Sequence, residues 1–158
     1  MKRTILLSIC CIAFLTIPLM HSAAQSPSAR AATISTPDRT SLDPSRTLIL
    51  FYSDVCPHCH NQMRWMAGIE DDFPEIEFVR YEIEVTDNHA NRAYFAAVMD
   101  AYDSNTTGWP RTVIGDRVFI GFADDDGEPA YNDQYQAWIG YRNQLYEAIA
   151  ELHGAIDR

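Results

Sequence analysis

Thr47-Leu48-Ile49-Leu50-Phe51-Tyr52-Ser53-Asp54-Val55-Cys56-Pro57-His58-Cys59 decides the fold. Residues 47–52 form a short apolar run of the kind a buried strand requires. Pro57 fits the first turn of a helix, where its missing N–H costs nothing. The helix is predicted to run to about Glu70, with Met63, Met66 and Ile69 on one face, and Asp71-Asp72-Phe73-Pro74 ends it. A strand therefore passes almost at once into a helix, with Cys56 at the junction.

Downstream the pattern continues in short elements. Residues 76–84 alternate, with Ile76, Phe78, Tyr81 and Ile83 as apolar members, and predict a second strand. Asn88 or Asn91 can cap the next helix, whose stripe is Tyr94, Phe95, Val98, Met99 and Tyr102. Residues 103–108 are a polar loop. Arg111-Thr112-Val113-Ile114, Gly115-Asp116 and Arg117-Val118-Phe119-Ile120 make a hairpin pattern. A last helix is expected over 131–152, because Trp138, Tyr141, Leu145, Ile149 and Leu152 recur at helical spacing. The predicted order is β-α-β-α-β-β-α, an α/β arrangement.

Upstream, Lys2 and Arg3 precede an apolar run over 5–20, and small residues Ser22-Ala23-Ala24 follow. That order reads as a secretory signal peptide over residues 1–24. An uncleaved membrane anchor is the alternative, although the run is short for one. Leu7-Ser8-Ile9-Cys10 is too early, and Ile9 too bulky, for a lipoprotein signal. Residues 25–46, rich in Ser, Ala, Thr and Pro, read as a flexible linker, and 47–158 as one domain. Cleavage removes Cys10 and Cys11 and leaves only Cys56 and Cys59. The expected destination is the periplasm or the exterior.

Composition excludes several classes. Of 158 residues, 47% are hydrophobic and 22% charged, which suits a globular chain rather than a disordered one. A formal net charge of −10 counts against nucleic-acid binding. No membrane span is expected in the mature chain.

The Cys56–Cys59 pair carries the chemistry. Free N–H groups and the dipole at a helix N-terminus stabilise a thiolate at Cys56. His58 can add a donor or a positive charge. A thiolate attacks a disulfide, and Cys59, one turn on, can reach back to resolve the mixed disulfide. Three other readings compete. A purely structural disulfide across so short a loop removes little chain entropy. A zinc site with His58 or His60 lacks a second ligand pair. Cys56-Pro57-His58-Cys59-His60 also matches the C-x-x-C-H haem signature, with Met99 as the distal candidate. The strand before the motif and the strand pair after it favour the dithiol, and no metal or cofactor is expected. Asn105-Thr106-Thr107 matches a glycosylation sequon, and Asp124-Asp125-Asp126 lacks the full calcium-loop pattern and reads as a solvated turn.

Over 47–152 the chain resembles a thioredoxin-superfamily domain, closest in layout to glutaredoxins. The residues that carry this are the dithiol and the stretch from Trp109-Pro110-Arg111 to Gly121-Phe122-Ala123-Asp124-Asp125. The resemblance implies a central mixed β-sheet flanked by helices. It assigns Pro110 to a cis-proline facing the dithiol. Trp109 stands where the family usually has Thr or Val, and its indole can shape a substrate groove or pack against the core; Arg111 is the remaining substrate-binding candidate. Pro57-His58 resembles the active site of DsbA-type thiol oxidases, which implies catalytic roles for Cys56, Pro57, His58 and Cys59. Leu50 stands where thioredoxins and DsbA-type proteins carry a buried acid, so proton handling at Cys59 differs here. Phe122 replaces a second glycine of glutaredoxins, and Ser53 and Asp54 stand where these often carry a basic residue, which counts against glutathione binding. The large helical insertion of DsbA-type proteins has no counterpart in residues 85–109.

The expected activity is protein thiol–disulfide exchange in the oxidase or isomerase direction. Its expected partners are proteins bearing thiols or disulfides and a redox partner that recycles the dithiol. A reductase of the same fold, serving for example cytochrome maturation, is the alternative within the class. A c-type haem carrier and a redox-inactive binding module are the alternatives outside it.

Overall fold

The computed structural model describes residues 42–84 and 88–156. The signal-peptide reading of residues 1–24 and most of the 25–46 linker lie outside the described residues. β1 (Thr47–Tyr52) leads into α1 (Pro57–Ala67), and a 3₁₀ turn over Glu70–Asp72 precedes β2 (Glu77–Glu82). Then come α2 (His89–Ala101), β3 (Arg111–Ile114), β4 (Arg117–Ala123), β5 (Tyr131–Asn132), β6 (Ala137–Tyr141) and α3 (Arg142–Ile156). The six strands form one mixed sheet in the order β2-β1-β3-β4-β6-β5. β1 runs parallel to β2 and antiparallel to β3, and β4 runs antiparallel to β3 and parallel to β6.

Burial on both faces explains why β1 reads as an unbroken apolar run. Leu48 and Leu50 pack with Met66 of α1 and Leu145 and Ile149 of α3. Ile49 and Phe51 pack on the other face, with Phe95 and Met99 of α2. Phe51 stacks with Tyr81 at 5.7 Å between ring centroids, which ties β1 to β2. Each fully buried aliphatic or aromatic side chain contributes roughly 1.5–3 kcal/mol, and these two clusters clamp the strand that delivers Cys56.

Several expectations hold with shifted boundaries. α1 stops at Ala67, short of Glu70, because Gly68 and the 3₁₀ turn take over. Asn88 occupies the N-cap position of α2, but its side-chain amide goes to the Glu82 carboxylate instead of the helix. The hairpin turns at Gly115-Asp116, where Gly115 has φ +57°. Leu42, placed in the linker by its sequence, packs beside Tyr94 and Val98, and Arg46 pairs with Glu75 at 3.0 Å.

One expectation is overturned. The predicted helix over 131–152 begins only at Arg142, and two strands, β5 and β6, occupy its first part. Trp138 and Tyr141 fit the helical stripe by coincidence of spacing. β6 instead hydrogen-bonds to β4, with Phe119 opposite Trp138 and Ile120 opposite Ile139. The strands also bulge between Ile120 and Ala123. A Cβ on Gly140 would sit 2.1 Å from the Gly121 carbonyl oxygen, so only glycine fits there. The crossover from β4 to β6 is anchored by Asn143, which bonds both the N–H and the carbonyl of Gly127. Arg142 reaches Asp124 and Asp126 at 3.3 and 3.1 Å, so the acidic run is the rim of a turn.

Candidate functional site

After Tyr52 the chain turns through Ser53, whose carbonyl accepts the Cys56 N–H at 3.1 Å. Cys56 is the N-cap of α1, with extended backbone at φ −94° and ψ 115°, and Pro57 opens the helix. The Cys56 sulfur accepts the backbone N–H of Cys59 at 3.4 Å. A thiol thus occupies the place of a capping oxygen, in the field of the free N–H groups at the helix start. Cys56 is half-buried, Pro57 and His58 are exposed, and Cys59 is fully buried. Both cysteines are free thiols. Burial first, and then the contact with Cys56, push the Cys59 thiol up to about 12.

His58 Nδ1 lies 3.2 Å from the Phe122 carbonyl oxygen. A carbonyl only accepts, so this bond puts a proton on Nδ1. It also ties the first turn of α1 to β4. Trp109 and His58 line one cleft of about 330 Å³, together with Ile120, Phe122, Tyr135 and Ile139. The cleft wall is mostly apolar. Val55, immediately before Cys56, is 75% exposed.

The Trp109–Pro110 peptide bond is cis. Pro110 is buried, and its carbonyl accepts the Gly121 N–H at 2.9 Å. The Trp109 indole packs on Phe95, 5.2 Å between centroids, while another part of it faces the cleft.

Arg111 requires a correction. It is a substrate-binding candidate by its place beside Pro110, yet the residue is fully buried. Its guanidinium donates to Ser104 Oγ, Asn105 Oδ1 and the carbonyls of Thr107 and Tyr135, at 2.7–3.1 Å. Desolvation pulls its pKa down to about 10. The side chain fastens the loop ahead of Trp109 to the loop that carries Tyr135. Asn105, the sequon residue, is one of its anchors and also donates to the Gln134 carbonyl at 2.6 Å.

The residues of the haem alternative do not converge. His60 is exposed on α1, whereas Met99 is buried in the cluster on the α2 side of the sheet. Among the described residues, no three His, Cys, Asp or Glu side chains gather into a metal-holding group. Nor is any helix there long and apolar enough to cross a membrane.

Sequence reasoning missed Ile120, Tyr135 and Ile139 as cleft residues, and the exposed Val55 before Cys56. Tyr135 and Ile139 fell inside the mistaken helix. Ile120 carried no signal beyond its place in a strand. Comparison of the chain with protein-family models, with curated proteins and with solved structures gives no match.

Proposed function

We propose that this protein is a thiol–disulfide oxidoreductase of thioredoxin-like fold that exchanges disulfides with other proteins through Cys56 and Cys59. One observation carries the reading: a half-buried thiol caps a helix and accepts the backbone N–H of Cys59, whose own thiol is buried. Two further features support it. A mixed sheet with helices packed on both faces agrees with the flanked central sheet that the resemblance implies. The cleft beside His58 and the exposed Val55 offer apolar surface to a client chain next to the reactive sulfur.

In the proposed cycle a client thiolate attacks the Cys56 sulfur of the Cys56–Cys59 disulfide. The Cys56–Cys59 bond breaks, a bond between Cys56 and the client forms, and Cys59 leaves and takes up a proton. A second client thiolate then displaces Cys56, so the client is oxidised and the dithiol reduced. Run backwards, the same steps reduce a client disulfide. Pro57 sets the helix start, and His58 favours the Cys56 thiolate as leaving group. The Pro110 carbonyl is taken by Gly121, so the backbone edge offered to a client is that of Trp109.

Titration of the pair against glutathione tests direction. A potential near about −120 mV means an oxidase, and one near about −270 mV a reductase. Cys56→Ser is expected to abolish exchange with a model protein disulfide, and Cys59→Ser to trap the client on Cys56. Equal turnover by the wild type and Cys56→Ser would sink the proposal.

A further inference from the structure

Cys59 is fully buried, yet exchange in either direction moves a proton on or off its sulfur. Gln62 stands three residues further along α1, also fully buried. Side chains three apart on a helix are neighbours. Gln62 Nε2 donates to Thr112 Oγ1 of β3 at 2.6 Å. Gln62 Oε1, by contrast, has no hydrogen-bond partner among the described residues. A buried amide oxygen without a partner is costly and calls for an explanation. Thr112 lies opposite Leu50 in the β1–β3 register, and Leu50 and Met66 belong to the apolar cluster on this face. The amide is therefore a polar group set into an apolar wall, one turn below Cys59.

We propose that the Gln62 amide, held by Thr112, positions Cys59 by giving its sulfur a hydrogen-bond partner in both protonation states. The inference rests on the dithiol reading above. While Cys56 is bonded to a client, its sulfur is no longer a free thiolate for the Cys59 S–H to approach, and Gln62 Oε1 accepts that proton's hydrogen bond instead. Cys59 then releases the proton to water. The thiolate attacks the Cys56 sulfur, the Cys56–Cys59 bond forms, and the client sulfur departs with the electron pair of the broken bond. With the amide turned over, Nε2 donates to the thiolate and the Thr112 hydroxyl, which both donates and accepts, donates to Oε1. The bond to the charged sulfur is the stronger of the two. Loss of the amide therefore penalises the thiolate most. The titratable groups around Cys59 are Cys56 and His58 on α1 and Tyr52 on β1, whose phenol feels the Cys59 charge. β3 and α3 bring Thr112, Leu145 and Ile149 to this face, none of them titratable.

Dithionitrobenzoate reads the two steps separately in the reduced protein. One coloured thiolate leaves when Cys56 attacks, and a second when Cys59 closes the ring. In Gln62→Met the second phase is expected to slow about tenfold at neutral pH, with the first phase unchanged. Its pH profile is expected to move about one pH unit toward alkali. Thr112→Val should act in the same direction by less, and Thr112→Ser, which keeps the hydroxyl, should rescue the phase. If Gln62→Met does not fold, the Thr112 pair decides. Wild-type closure rates and pH profiles in folded Gln62→Met, or in Thr112→Val, overturn the assignment. Failure of the wild type to release even the first thiolate overturns the dithiol reading and this inference with it.

Discussion

The β1–α1 junction and the crossover from β4 to β6 border the same cleft, yet they are built by different means. The junction is local. A buried strand, a short turn, a thiol at the cap and a proline in the first turn follow one another within a few residues. The crossover is held from a distance. Gly121 and Gly140, nineteen positions apart in sequence, touch at a bulge. Arg111 ties the loop at 104–107 to the Tyr135 carbonyl. In the proposed function the first region carries the reactive sulfur, and the second shapes the wall offered to a client chain.

Mutations should separate the two. The largest effect is expected at Gly140→Ala, whose Cβ collides with a backbone oxygen. A loss of about 3 kcal/mol or more in urea unfolding should follow. The Cys56–Cys59 potential of the folded fraction should stay near its wild-type value. A loss under about 1 kcal/mol would mean that the bulge is soft and the crossover less constrained than its geometry implies.

Arg111→Met comes next. It strands several loop acceptors but also removes a buried charge, so a loss of about 2 kcal/mol is expected. Client binding should weaken through the displaced cleft wall, while reactivity toward a small disulfide is retained. Equal losses toward a small disulfide and a protein client would restore Arg111 to the site.

The buried Cys59 thiol supplies a pH test of the junction. Its folded-state pKa is raised, so the protonated thiol stabilises the reduced protein below about pH 9, and that contribution is lost as pH rises toward about 12. The oxidised protein has no such proton to lose. The reduced protein should therefore lose stability relative to the oxidised protein over this range, and Cys59→Ala, which cannot form the disulfide, should lack that loss. An unchanged difference would argue against a dry environment for Cys59.

The smallest effect is expected at His58→Ala. If His58 favours the thiolate, the disulfide becomes less oxidising by roughly 30 mV, equivalent to about 1.4 kcal/mol. An unchanged potential would leave the helix start as the main cause.

The junction was legible because its signals are short-range. Apolar run, cysteine cap and first-turn proline each obey a rule that operates within one helical turn. The β3–β4 hairpin was legible for the same reason, through Gly115-Asp116. The stretch over 131–141 was not. Trp138 and Tyr141 satisfy a helical stripe, and a strand of five residues offers too little alternation to contradict it. What makes it a strand is β4, an edge nineteen residues upstream at Phe119 and Trp138. Arg111 was misread because a basic residue next to a site looks functional until its acceptors are known, and all four of them lie in loops.

By itself, the sequence determined the α/β alternation, the dithiol at the start of a helix and the acidic character of the chain. These depend on residue chemistry and on periods of two or three to four residues. The tertiary structure alone decided that Cys59 is buried, that Arg111 faces inward and that Gln62 keeps an unpaired oxygen on the sheet face under α1. Each of those properties belongs to a contact between distant segments, and desolvation acts only once the chain has closed around the group.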